Sequence, residues 1–304
     1  MSAELAGLRL ANPVINGSGT FDAIAAQSAF GEGLLEAFPF AAYVSKTITL
    51  RAREGNPPPR LWEAPAGLVN SIGLPNKGLE GYLREDLPEL AAICARARAA
   101  GAASAGVPLI TNVMGSSSGE LEQLVRACEE RPEVAAVELN VSCPNVETGL
   151  DIGADPEQLQ AVVGAVRGCT RKPLIVKLTP NTADVARCAL AAEAAGADAV
   201  SLINTLRASA LSPSRRLGSG EPWLGGGSGG LSGPTIRSVA LAQVAAVAEA
   251  VAIPVVGMGG VQSAAHARDL LDAGATVVAV GTESFRDPST GWRVAREITA
   301  SSGA

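Results

Sequence analysis

Eight short apolar runs recur along the chain, at residues 13–17, 41–48, 108–114, 135–141, 173–178, 199–203, 254–258 and 276–280. Most are apolar throughout rather than alternating, the pattern of parallel strands buried on both faces. Ala- and Leu-rich stretches of helical period lie between several of them, at 157–167, 182–195, 234–250 and 264–273. Gly101, Gly196 and Gly274 each follow such a stretch, where a helix-ending glycine is expected, and Ser263 stands at an expected N-cap. Eight strand–helix units predict an α/β fold, a closed (β/α)8 TIM barrel that takes in residues 1–304 as one domain. A doubly wound open sheet is the alternative.

Two polar stretches exceed ordinary loops, 49–107 and 206–233. In a barrel such insertions sit at the C-terminal face of the strands and build or cover active sites. The run Gly225-Gly226-Gly227-Ser228-Gly229-Gly230 reads equally as a flexible linker or as a mobile lid or phosphate loop.

Composition narrows the chemistry. Of 304 residues, 47% are hydrophobic but only 3% aromatic, so small aliphatic side chains must fill the core. The formal net charge is −6 and no block of basic residues stands out, which disfavours a nucleic-acid surface. The five cysteines form no CxxC pair and there is one histidine, His266, which disfavours a metal site or a Ser-His-Asp triad. His266 reads as a solvent-facing helix residue. The most apolar stretch, 239–258, carries Gln243, Glu249 and Pro254, and reads as a helix followed by a strand rather than a membrane span. The N-terminus shows no secretory pattern. A cytoplasmic protein without membrane or nucleic-acid partners is expected.

Residues at the C-terminal ends of barrel strands converge on one site. Those ends carry Gly17-Ser18-Gly19-Thr20, Ser45-Lys46-Thr47, Asn112, Glu138 with Asn140, Ser142-Cys143-Pro144-Asn145, Lys177 with Thr179, Asn204-Thr205, Gly257-Met258-Gly259-Gly260, and Gly281-Thr282. Lysines and amides inside apolar runs are costly to bury without partners. The whole set points to a polar, anionic ligand. The glycines after strands seven and eight suit a phosphate, because backbone N–H groups can approach its oxygens closely.

These motifs resemble the class 1 dihydroorotate dehydrogenases. Asn140-Val141-Ser142-Cys143-Pro144-Asn145 is similar to their active-site loop, and Asn70-Ser71-Ile72-Gly73-Leu74-Pro75-Asn76 to their substrate-binding turn. Further matches are Ser45-Lys46-Thr47, Lys177, Ile203-Asn204-Thr205, Gly229-Gly230-Leu231-Ser232-Gly233-Pro234, Met258-Gly259-Gly260 and Gly281-Thr282. Pro59-Arg60 and Glu63-Ala64-Pro65-Ala66-Gly67 look more like class 1B than class 1A.

The resemblance implies FMN-dependent oxidation of dihydroorotate to orotate in pyrimidine biosynthesis, with Cys143 as general base. It implies a substrate site of Lys46, Asn70, Ser71, Ile72, Gly73, Leu74, Asn140, Asn145, Asn204 and Thr205. It implies an FMN site of Ser18, Lys46, Thr47, Asn112, Asn140, Lys177, Ile203, Gly233, Gly259, Gly260, Gly281 and Thr282. A homodimer is expected, or a heterotetramer with an FAD/iron–sulfur subunit that passes electrons to NAD. The competing readings are an FMN-dependent dihydropyrimidine (dihydrouracil or thymine) dehydrogenase, and a non-redox phosphate-binding barrel such as an isomerase or aldolase.

Overall fold

The computed structural model describes residues 2–142, 152–213 and 220–301. The eight expected apolar runs form one parallel eight-stranded sheet. Its strands are β1 (Val14–Asn16), β2 (Tyr43–Val44), β3 (Leu109–Val113), β4 (Ala136–Asn140), β5 (Leu174–Lys177), β6 (Ala199–Leu202), β7 (Val255–Met258) and β8 (Val277–Val280). The hydrogen-bonded order runs β1-β8-β7-β6-β5-β4-β3-β2, so the two ends of the sheet are the first two strands of the barrel. All eight are buried along their full length, as continuous apolar runs require.

A side chain closes the ring. Asn16, 1% exposed, donates from Nδ2 to the Val44 carbonyl at 2.7 Å and accepts from the Val44 N–H at 2.8 Å. Its carboxamide thus makes the two bonds that a neighbouring backbone would make. One true backbone bond, Ala41 N–H to Val14 O at 2.8 Å, lies beside it. Much of the small aromatic complement packs near this seam, where Phe21 meets Phe40 edge-on at 5.3 Å and Phe38 meets Tyr43 at 6.3 Å. Aliphatic side chains fill most of the rest of the core.

Strand β2 is shorter than the apolar run at 41–48. Ser45 Oγ, rather than a backbone carbonyl, accepts the Asn112 N–H at 3.0 Å, and regular pairing stops there. It resumes only at Ile48, bridged to Val113. The interruption leaves Lys46 exposed between buried Ser45 and Thr47.

The helices begin where capping side chains dictate. Asp155 caps Pro156–Arg167, and Ser263 caps Ala264–Asp272 as expected. Asp184 captures the Arg187 N–H at 3.0 Å, so the helix expected from 182 starts at Val185. Gly196 and Gly274 end their helices with φ of 93° and 102°. Gly101 does not: the helix Leu87–Arg96 stops at an extended Ala97, and Gly101 lies in a later turn. His266 is half-buried rather than solvent-facing, with Nε2 against the Arg237 guanidinium.

The two long insertions join each other. Strands Leu206–Ala208, Gly229–Ser232, Gly67–Asn70 and Leu61–Ala64 form a four-stranded antiparallel sheet in that order. Trp62 and Trp223 meet edge-on at 5.7 Å, and Trp223 Nε1 donates to the Leu61 carbonyl at 3.2 Å. Gly229 and Gly230, the end of the glycine run, are part of this sheet, and Gly225 and Gly226 turn closely against Pro57 and Ser71, so the run is not a free linker. A Cβ on Gly230 would lie 1.9 Å from Thr205 Oγ1, so only glycine allows this approach. Among the described residues, no helix is long and apolar enough to cross a membrane.

Candidate active site

The C-terminal strand ends bring three groups of residues together. The first is a buried polar cluster inside the barrel. Asn112 on β3 is 0% exposed and donates from Nδ2 to Glu138 Oε2 at 2.5 Å. Glu138 on β4 is 3% exposed, and its Oε1 accepts from Ser201 Oγ on β6 at 2.7 Å. Lys177 on β5 is in register with Asn140 on one side and Ser201 on the other. It is 7% exposed and forms no ion pair among the described residues. Asn112 Oδ1 is also buried, with no hydrogen-bond partner there. On the opposite face of β3, Tyr82 and Thr111 share a 2.8 Å bond between hydroxyls, and burial pushes the Tyr82 phenol well above its ordinary pKa.

The second group is an amide chain at the barrel mouth. Asn204 Nδ2 donates to Asn140 Oδ1 at 3.3 Å and to Ser142 Oγ at 2.9 Å. Its Oδ1 accepts the Thr205 N–H at 2.8 Å. Thr205 packs on Gly230, whose carbonyl accepts from Asn70 Nδ2 at 3.1 Å. Ser71 Oγ donates to the Ser228 carbonyl at 2.7 Å, which ties the same turn to the glycine run. The turn continues through Ile72, whose carbonyl accepts from Asn56 N, then through Gly73 at φ 76° and Leu74 at φ 54°. Asn76 holds it shut, donating to the Leu74 carbonyl at 2.8 Å and accepting from Gly78 N–H at 2.8 Å.

The third group is a glycine cradle after β6, β7 and β8. Gly233 begins the 3-10 turn Pro234–Ile236, which runs directly into the helix Arg237–Ala250. Gly281 stands at the start of the 3-10 turn Thr282–Phe285. A Cβ on Gly260 would lie 3.0 Å from the Gly233 carbonyl, and Thr282 Oγ1 donates to Ser232 Oγ at 2.9 Å. Gly259 abuts Ile203. Backbone amides at helix starts, freed of Cβ atoms, suit a phosphate. Across the barrel, Ser18 Oγ donates to the Ser45 carbonyl at 2.8 Å and lies 3.2 Å from Thr47 Oγ1.

Most of the residues singled out in the sequence thus join these three groups. Lys46 is the outlier, exposed and without a side-chain hydrogen bond or ion pair among the described residues. Cys143 and Asn145 lie outside the described residues, directly beyond Ser142. Three residues with structural roles here were not among the site candidates. Ser201 was hidden as one hydroxyl in an apolar strand, and Asn16 and Asn181 lie beside strand ends. Asn181 holds the roof by donating to the Thr205 carbonyl at 3.1 Å and accepting from Arg207 N–H at 2.8 Å. An amide within or just after an apolar run is the signal that would have found the last two.

The cluster fits a flavin. A buried acceptor on Asn112 and a buried Lys177 side chain, both without a partner among the described residues, together with an amide-rich phosphate cradle, call for a ligand that carries an N–H donor, an electron-rich ring edge and a phosphate. Fold and site together define an oxidoreductase on a (β/α)8 barrel. The family model for dihydroorotate dehydrogenase matches residues 1–301. A relative from Geotalea daltonii, dihydroorotate dehydrogenase B (NAD(+)), catalytic subunit, is 42% identical over 98% of this chain and 92% of its own length. Relatives of the same name from Desulforudis audaxviator and Geobacter sulfurreducens are 43% and 40% identical, each over 98% of this chain and over 91% and 92% of their own. The chain belongs to the dihydroorotate dehydrogenase family, which is flavin-dependent.

Proposed function

We propose that this chain oxidises dihydroorotate to orotate with FMN, as a single-domain catalytic subunit of class 1B working in the cytoplasm. Electrons then pass to NAD through a separate subunit that carries FAD and an iron–sulfur cluster, with the barrels paired as a homodimer at the centre of a heterotetramer. The names of the relatives support the division of labour. So does the sequence, which has no dinucleotide fingerprint after its first strand and no iron–sulfur cysteine spacing.

In this reading Cys143, as thiolate, removes the proton from C5 of dihydroorotate. Bound FMN supplies the acceptor for the hydride that leaves C6. Asn70, Asn140, Asn145 and Asn204 meet the imide and carboxylate edges of the planar ring, each offering both a donor and an acceptor. Ser71, Ile72 and the backbone N–H groups of Gly73 and Leu74 shape the carboxylate end, with Lys46, two residues beyond β2, turning in to the substrate when it binds and Thr205 closing the side. Lys177 would lie against the flavin, where its positive charge would favour an electron-rich ring edge. Ser18, Thr47, Asn112 and Ile203 would hold the rest of the cofactor, and Gly233, Gly259, Gly260, Gly281 and Thr282 would hold its phosphate.

The observation that carries this reading is the amide chain from Asn70 to Asn140, which ends on Ser142 beside the proposed base. The test is an anaerobic visible spectrum before and after dihydroorotate. Bleaching of a flavin band is expected. Bleaching by dihydrouracil and not by dihydroorotate would transfer the protein to the dihydropyrimidine dehydrogenases. A protein that takes up no flavin would end the redox reading.

A further inference from the structure

Glu138 has no part in the chemistry above, yet it is one of the most deeply buried ionisable groups in the barrel, 3% exposed. Its two oxygens each take one neutral donor, Asn112 Nδ2 at 2.5 Å from the adjacent β3 and Ser201 Oγ at 2.7 Å from β6, two strands away on the other side. No ion pair involving it is formed among the described residues. A carboxylate held only by neutral donors costs more to bury than an apolar side chain of similar size, so packing alone does not account for it. Its effect on Asn112 does. An ionised carboxylate can only accept, so the Asn112 amide must turn its NH2 toward Glu138 and its Oδ1 away. That Oδ1 is buried and has no partner among the described residues. The Ser201 hydroxyl occupies the other carboxylate oxygen and holds the carboxylate in place.

We propose that Glu138 is a positioning residue that fixes the polarity of the Asn112 amide, so that the barrel presents an acceptor to the flavin ring. The proposal rests on the flavin reading given above. Oxidised isoalloxazine carries a single ring N–H, at N3, while its other polar ring atoms accept. An acceptor held by Glu138 selects the N3–H edge, and a reversed amide would set donor against donor. Lys177, in register with Ser201 on the next strand, adds positive charge to the same wall. Glu138 and Lys177 together make that wall read a ring that offers one donor flanked by acceptors.

The test uses the whole protein with FMN, comparing wild type, Glu138→Gln, Asn112→Ala and the double variant. Two quantities are read: the dissociation constant from titrating apoprotein with FMN, and the pH at which the bound flavin loses its N3 proton, seen in the visible spectrum. In wild type, an acceptor at N3–H holds that proton to a higher pH than in free FMN. In Glu138→Gln one of the two carboxylate acceptors becomes an N–H donor, so the side chain no longer forces the Asn112 NH2 toward it and the amide is free to turn over. N3 ionisation then moves to lower pH, and the FMN dissociation constant rises by about 10- to 100-fold. On the Asn112→Ala background the Glu138 substitution adds nothing further.

Unchanged affinity and N3 ionisation in Glu138→Gln overturn the proposal. So does the same shift on the Asn112→Ala background, because the effect would then be through-space charge and not the amide. If Glu138→Gln does not fold, Glu138→Asp takes its place. Its shorter arm releases Asn112, and unchanged ionisation there is equally fatal. A wild type that takes up no FMN removes the flavin reading itself, an outcome distinct from a wild type that binds FMN and a variant that binds it identically.

Discussion

Asn204 reaches across the barrel mouth to donate to Ser142 Oγ at 2.9 Å, one residue before Cys143. A strand-six amide thus anchors the start of the loop that holds the proposed base, while its carbonyl is occupied by the Thr205 N–H. Asn204→Leu removes both bonds to the β4 end without adding charge. We expect kcat/KM for dihydroorotate to fall by about 10- to 100-fold, as for loss of a buried hydrogen bond that also orients substrate, with FMN content unchanged. Steady-state kinetics with the flavin-to-protein absorbance ratio check this.

Cys143→Ser tests the base. A hydroxyl without a matched partner is a far poorer base than a thiolate, so turnover at neutral pH should drop by about 10²- to 10⁴-fold while FMN stays bound. Near wild-type turnover would remove Cys143 from the mechanism.

The other cysteines should be inert. Cys94, Cys128, Cys169 and Cys188 are free and buried, and burial pushes the Cys94 and Cys128 thiols up to about 12. Iodoacetamide at pH 8 should therefore label one site quickly, and peptide mapping should find it at Cys143. Fast labelling of Cys94 or Cys128 would contradict their burial.

The same thiols predict alkaline weakness. Their folded pKa values lie above the ordinary 9.0, so the stability they carry is complete below pH 9 and is lost as pH rises toward 12. Each should contribute a decline of about 1.4 kcal/mol per pH unit across that window. Thermal melts from pH 8 to 11 should steepen accordingly, and Cys94→Ala with Cys128→Ala should flatten the slope.

Asn16→Leu opens the seam. It strips both the N–H and the carbonyl of Val44, a residue 2% exposed, of their partners. A loss of about 2–5 kcal/mol is expected from two unsatisfied buried backbone groups, measurable by denaturant unfolding.

The barrel strands could be read from sequence because burial on both faces leaves an unbroken apolar run, a strong local signal. Strand β2 was over-extended because its interruption depends on a Ser45 side chain replacing a carbonyl three-dimensionally opposite Asn112. The roof sheet was invisible for a different reason. Its strands are three or four residues long and half-exposed or glycine-rich, and their pairing joins segments remote in sequence. The glycines at 229 and 230 are needed by what approaches them, the Asn70 backbone and the Thr205 side chain, neither of which a local pattern reveals. The candidate site residues stand out in the sequence where a polar group follows an apolar run at a strand end. Ser201 escaped because its partner, Glu138, lies two strands away in the barrel.

The roof also sets an order of assembly. Asn70 meets Gly230 across 160 residues of chain, and Ser71 meets Ser228 across 157. On a ribosome, the substrate-binding turn emerges with nothing to pair against until the sixth strand and the glycine run have followed it. By then β1 to β6 are available to collapse, as sequence-local strand–helix units do first. The antiparallel sheet can therefore pair only once residue 230 has emerged, and a nascent chain that stalls before it lacks β7 and β8 as well, so the cover and the last two walls of the barrel arrive together in the final quarter of synthesis.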